Sequence, residues 1–211
     1  MEAMSGPAPR DQESAHARLH EELARLADRP HAAGGGLGAS AAHAVAAWTL
    51  AHAFEYEAAE LAWARVVELE PRSLEAVYQR GMCLLELGRY ADAERCFRAA
   101  LALDAALRSD PDAELLDWIE DDPALRLGNC RHALGDLDGA IEAYELSARR
   151  NTVAPDALRE IARCRLARGD GAGALAALTR MQQRATRPAQ RAEIEALRAE
   201  ALRVGPAGGG S

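Results

Sequence analysis

One period governs this chain. Tyr56, Ala59, Trp63, Leu69 and Pro71 recur 34 residues on as Tyr90, Ala93, Phe97, Leu103 and Ala105, and four of the five positions keep their character. Gly81, Gly88, Ala93 and Phe97 recur 47 residues on as Gly128, Gly135, Ala140 and Tyr144, the same step of 34 with a 13-residue insertion. A last step of 34 reaches Ala162, Gly169, Ala174 and Leu178. A period of this length builds copies of one supersecondary unit, each burying an apolar face it cannot bury alone.

The unit is a pair of helices. Ala76 to Leu87 and Tyr90 to Leu103 carry apolar residues at helical spacing, and Gly88-Arg89 interrupts them. Glycine is the residue best able to reverse the chain after a helix. Gly81 and Ala93 stand where a larger side chain would hold neighbouring helices apart, while Tyr90 and Phe97 fill the space between the two helices. Apolar residues make up 49% of the chain but aromatics only 4%, and this mix of mostly Ala and Leu favours close-packed helices over sheets.

The spacing predicts four units at 40–73, 74–107, 121–154 and 155–188, with an insertion at 108–120. Residues 1–10 and 205–211 read as disordered. Residues 11–39 read as a helix, Asp11 to Arg29, and a Gly-rich linker. The stretch 189–204 reads as a C-terminal helix that caps the last open apolar face. The helix at 11–29 has three open readings: docked, mobile, or the seat of a homodimer. Asp110-Pro111 and Asp122-Pro123 each set a capping carboxylate before a proline at the first helical position, so a short acidic helix with Leu115, Leu116, Trp118 and Ile119 is expected between them. That helix is either a packing elaboration or a lid.

Charge and composition exclude several functions. A net charge of −8 opposes nucleic acid and anionic membranes as partners. All 25 basic residues are Arg, so there is no amine for a Schiff base and no P-loop lysine. Gly34-Gly35-Gly36-Leu37-Gly38 lacks the Gly-Lys-Ser/Thr ending of a phosphate cradle, follows no strand, and reads as a linker. No signal-peptide core occurs at the N-terminus and no stretch approaches about 18 uninterrupted apolar residues, so a cytoplasmic protein without membrane insertion is expected.

Cys83, Cys130 and Cys164 all fall at the tenth position of their units, where one packing role explains all three. A shared metal needs its sulfurs within ~4 Å of one another, whereas equivalent helices in neighbouring units lie roughly 10 Å apart. His16 and His20 sit four apart on one helix face, but the sequence fixes no third ligand and Ala24 stands where a zinc-protease pattern would need its second histidine. No Ser-His-Asp or Cys-His set is recoverable, so neither an enzyme nor a cofactor is expected.

The pattern resembles the tetratricopeptide-repeat family, and the resemblance covers Ser40 to about Pro188. It implies an all-α, right-handed superhelical solenoid of about four helix pairs with flanking N- and C-terminal helices. It has three departures: Phe54 stands where the turn glycine is usual, Gly171 where an aromatic is usual, and only the first unit keeps its terminal proline, Pro71. The resemblance also implies a concave groove lined by the first helix of each pair. Its N-terminal half offers Trp48, Tyr78, Met82 and Leu85, an apolar and adaptable surface. Its C-terminal half offers Arg126, Asn129, Arg159 and Arg163, suited to a carboxylate. The ligand expected is an extended peptide or partner segment with apolar anchors and an acidic group. The order of Asn and Arg, and the missing Lys, differ from repeats that clamp the terminal carboxylates of heat-shock chaperones. Leu127 to Gly135, followed by Ala140, Ile141 and Tyr144, is similar to the central repeat of the class II chaperones of bacterial type III secretion, which implies a hydrophobic secreted client as the alternative ligand.

Overall fold

The computed structural model describes residues 36–109, 122–151, 155–185 and 187–204, with side chains described from residue 39. Among these residues there are nine helices and no strand: α1 (Gly36–His52), α2 (Tyr56–Leu69), α3 (Leu74–Glu86), α4 (Tyr90–Arg108), α5 (Pro123–Ala133), α6 (Leu137–Arg150), α7 (Asp156–Ala167), α8 (Gly171–Arg184) and α9 (Pro188–Val204). The chain divides into two compact units, residues 1–83 and 84–211, with the boundary inside α3. The expected helix at 11–29, the short helix of the insertion, and both termini lie outside the described residues.

Within each unit, helices pack on their chain neighbours. In the first unit α1 packs on α2; in the second, α4 on α5, α5 on α6, α6 on α7, α7 on α8 and α8 on α9. This nearest-neighbour packing defines an all-α solenoid of helix pairs. The first unit gathers Leu50, Trp63, Val66, Ala59 and Cys83 into its core. The second gathers Tyr144, Leu158, Ile161, Leu178, Met181 and Ile194.

The turn inside each pair explains the period. Four helices end in the same way, with one residue at positive φ: Phe54 (62°), Gly88 (70°), Gly135 (81°) and Gly169 (76°). In each case the next residue's N–H donates five residues back, Glu55 to Leu50 O, Arg89 to Leu84 O, Asp136 to Arg131 O and Asp170 to Arg165 O, at 2.8–2.9 Å. The positive-φ residue itself donates three back, to Ala51, Leu85, His132 and Leu166. These paired bonds are a Schellman ending, which satisfies carbonyls that the helix leaves open. After two of the turns an aspartate caps the following helix: Asp136 accepts from Gly139 N–H at 2.9 Å and Asp170 from Gly173 N–H at 2.7 Å.

The helices of a pair approach closely where a side chain is missing. A Cβ on Gly128 of α5 would lie 2.4 Å from Cε1 of Tyr144 on α6. The Tyr144 ring is 1% exposed, and its hydroxyl donates to Asn129 Oδ1 at 2.9 Å.

Two helices outrun their expected bounds. α1 begins at Gly36, inside the stretch read as a linker, because the alanine-rich run behind it carries the helix back through Gly38. α4 continues past Leu103 to Arg108, since Asp104-Ala105-Ala106-Leu107 contains no breaker. Asp104, 8% exposed, accepts from Arg108 and from Arg150 of α6. Arg150 Nε also lies 3.8 Å from Asp122 Oδ1. Asp122 in turn caps α5, accepting from Ala124 N–H at 2.9 Å with Pro123 behind it. Arg150 thus ties together the two ends between which residues 110–121 run.

Candidate functional site

The residues expected to form the ligand face fall in both units. In the first, Trp48 projects from α1 and is 37% exposed. Its orientation is fixed twice over. Nε1 donates to Glu75 Oε1 at 3.3 Å, and the ring stands edge-on to buried Trp63 of α2, with centroids 5.7 Å apart and planes at 84°. His52 borders the same indole at 5.7 Å, held by a 2.7 Å contact between its Nδ1 and Trp48 O. Edge-to-face pairs of this kind hold a ring in one orientation, so the exposed part of the indole is already ordered.

Tyr78 and Met82, also of the first unit, differ from each other. Met82 is half-buried, while Tyr78 is 1% exposed, so its ring is covered instead of lying open on the face where the sequence pattern set it. A tyrosine at a groove position is recognisable from its place in the repeat, but its cover depends on tertiary neighbours that no repeat pattern encodes. The structure adds apolar surface that sequence reasoning missed. Val45, 67% exposed, lies one turn from Trp48 on α1, and Phe54 and Leu61 are 77% and 65% exposed. A readable signal exists: α1 carries no Asp, Glu or Arg from Gly36 to His52. A helix without charge on any side is one whose outer face is meant to be covered.

In the second unit Leu85 and Arg126 are half-buried. Asn129 is also half-buried and is engaged from behind by the Tyr144 hydroxyl. Burial, and next the Glu160 carboxylate, push the Tyr144 hydroxyl well above the ordinary phenol range, so it stays a donor at any physiological pH.

Arg159 and Arg163 lie one turn apart on α7 and face three carboxylates. Arg159 Nη1 is 2.8 Å from Asp156 Oδ1, and its Nε is 2.9 Å from Glu160 Oε1 and 4.0 Å from Glu193 Oε1. Arg163 Nη1 is 3.3 Å from Glu160 Oε1 and its Nη2 is 2.9 Å from Glu193 Oε1. Burial works against the charge on Arg159, but the hydrogen bond to Glu160 and the surrounding carboxylates outweigh it and raise its pKa. The guanidinium pair expected to await a ligand's carboxylate is therefore already neutralised. Glu193, from α9, was not read as part of this face. Its sequence signal is faint, one of several acids on a helix assigned only to capping.

The cysteines are placed as packing residues. Cys83, Cys130 and Cys164 are buried and Cys96 is half-buried. Burial, with Glu94 and Cys96 nearby, pushes Cys130 up to about 12. Burial and Glu160 push Cys164 up to about 11. Thiols held in this way carry little thiolate at neutral pH. Among the described residues no group of three His, Cys, Asp or Glu could hold a metal ion, and no helix is long and apolar enough to cross a membrane.

This architecture defines a class, the helix-pair repeat proteins, whose chemistry lies in a displayed face. Residues 74–112 and 124–152 each match the tetratricopeptide repeat, so the chain carries tetratricopeptide repeats over these two stretches. No curated protein sequence matches it. In fold it is similar to MamA, with a TM-score of 0.62 at 18% identity over 81% of this chain and 88% of that one. It is also similar to the first repeat region of Spaghetti (RPAP3) bound to the HSP90 peptide SRMEEVD, with a TM-score of 0.51 at 18% identity over 61% and 94%. The Yersinia enterocolitica type III secretion chaperone SycD, in complex with a peptide of the translocator YopD, matches at a TM-score of 0.49 and 26% identity over 63% and 92%.

Proposed function

We propose that this chain is a non-catalytic protein-interaction scaffold of the bacterial cytoplasm that binds an extended partner segment through apolar anchors and an acidic group. The observation that carries the reading is Trp48. A large aromatic ring, part-exposed, with its N–H already satisfied and its plane set by Trp63, presents apolar area at little cost in ordering. Val45 widens the same helix surface, and the half-buried Met82 supplies a deformable side chain. In the second unit Asn129, Arg159 and Arg163, with Arg126 nearby in sequence, offer a polar face for the acidic group. Raised thiol pKa values and the lack of any lysine leave the described residues poorly equipped for nucleophilic chemistry.

The reading is tested by selecting peptides from a random display library on the wild-type protein and on Trp48→Ala. The wild type is expected to enrich sequences with paired apolar residues, and Trp48→Ala to lose that enrichment. The same sequences recovered by both baits would place binding elsewhere. A full-length partner that is insoluble alone and becomes soluble on co-expression would mark the secretion-chaperone alternative.

A further inference from the structure

The second unit contains a contact that bears on how its arginines meet a ligand. Of the three carboxylates on Arg159 and Arg163, two lie on α7 itself: Asp156 and Glu160 are one turn or less from the arginines they touch. They hold the guanidinium groups in place whatever else binds. The third, Glu193, comes from α9, thirty residues from Arg163 along the chain. Its Oε1 lies 2.9 Å from Arg163 Nη2 and 4.0 Å from Arg159 Nε, and Glu160 Oε1 bridges the same two arginines from within α7.

We infer that α9 holds Glu193 in the arginine site as a built-in substitute for a ligand carboxylate, so that a partner's acidic group binds there by displacing it. The inference deepens the proposed peptide-binding reading and rests on it. Three observations carry it. First, Glu193 is the one of the three carboxylates that reaches the arginines from another helix, as a ligand's would, with one oxygen accepting from Arg163 and within ion-pair distance of Arg159. Second, the contact is reachable: the Arg163 side chain is 47% exposed and that of Glu193 31%, so an incoming carboxylate and water both have access. An exposed ion pair of this kind contributes little net stability, because solvent screens it and both side chains lose rotamer freedom to hold it. Third, α9 is seated shallowly. Of its 17 residues Ile194 and Ala201 are buried, whereas the 14-residue α8 buries Gly171, Ala174, Ala177, Leu178 and Met181. Elements with few buried contacts are the ones that open first.

Displacement leaves an ordered site. When the Glu193 side chain swings out, Arg159 stays bound to Asp156 and Glu160, and Arg163 to Glu160, so the donors remain aimed at the vacated position. A weak, lone carboxylate gains nothing by replacing one acid with another. A segment that also engages apolar surface brings extra binding energy and wins. The substitute thus sets a threshold that rejects free acidic metabolites and admits anchored peptides.

The test uses the full chain and a fluorescein-labelled synthetic hexapeptide carrying two leucines and ending in two aspartates with a free carboxylate, titrated by fluorescence anisotropy at low ionic strength. Glu193→Gln is expected to tighten binding about two- to fivefold, the range that loss of an exposed ion pair supplies. Glu195→Gln, which removes the same charge from an exposed site on α9 paired with Arg198, is expected to leave affinity unchanged. Arg163→Gln is expected to weaken binding, and Glu193→Gln to have no further effect on that background. If Arg163→Gln weakens binding while Glu193→Gln matches the wild type, the arginine site stands and the substitute is refuted. Equal tightening by Glu195→Gln reduces the effect to general charge and also overturns it. Binding that is absent, or indifferent to Arg163→Gln, removes the arginine half of the proposed function and this inference with it.

Discussion

Replacing Gly128 with alanine puts the packing of the repeat to a quantitative test. The added Cβ falls 2.4 Å from Cε1, 2.5 Å from Cδ1 and 2.9 Å from Cζ of Tyr144. Real carbon pairs do not approach so closely, so either the ring or α5 must move. The ring has little room: Tyr144 is 1% exposed and packed among Ala140, Leu158, Ile161 and Leu178, and its hydroxyl is bound to Asn129. Inserting a methyl group into a packed core costs about 1–3 kcal/mol. Pulling the hydroxyl off Asn129 adds about 0.5–1.5 kcal/mol. Against this, alanine favours a helix over glycine by about 1 kcal/mol. The balance is a loss of about 1–3 kcal/mol, read as a lower midpoint in urea unfolding followed by far-ultraviolet circular dichroism. The decisive control is the same change in a Tyr144→Ala background, where Cδ1, Cε1 and Cζ no longer exist. There the clash is relieved and helix propensity remains, so Gly128→Ala should stabilise by up to about 1 kcal/mol. A neutral or stabilising effect in the wild-type background, or an equal loss in both backgrounds, would refute the close-approach argument.

The turns supply a second comparison: a Cβ on Gly135 meets nothing within 4 Å, so Gly135→Ala isolates the cost of a left-handed backbone, about 1 kcal/mol once the stiffer unfolded chain is credited. Phe54→Gly should run the other way and raise the first unit's melting temperature, since Phe54 is 77% exposed and loses little packing; a fall would show that its edge contact with Tyr56 outweighs the strain. His43 is buried, and burial first, then Arg65, holds its pKa below the ordinary 6.5. The folded state therefore takes up a proton less readily than the unfolded chain, so first-unit stability should be full above 6.5 and drain as the pH falls through it, a slope that thermal melts of His43→Gln should lack. Thiol labelling of the native protein at mild alkaline pH should modify Cys96 alone at an appreciable rate, because Cys83, Cys130 and Cys164 are buried; rapid labelling of all four would contradict the packing described.

What the sequence could show, and what it could not, follows from which interactions repeat. The turn residues were legible because a Schellman ending needs a left-handed residue at one fixed place, and Gly88, Gly135 and Gly169 recur there with nothing else to explain them. Phe54 stood out as the departure, and the chain takes the same left-handed turn there without the glycine. That the fold overrides the residue shows that the helix pair, and not the turn, dictates the reversal. The cysteines at one repeat position were equally legible as packing, since identical environments select identical small side chains. Tyr78 and Glu193 were not. Their fate depends on contacts made once in the molecule, the cover over one ring and the reach of one glutamate from the last helix to Arg163. A repeat pattern averages over its copies, so it predicts what every copy shares and is blind to what each end adds. Ligand specificity in such a chain resides in those unshared contacts. Glu193 is one of them, and on the inference drawn from it the junction of α7 and α9 is where this protein's selectivity is set.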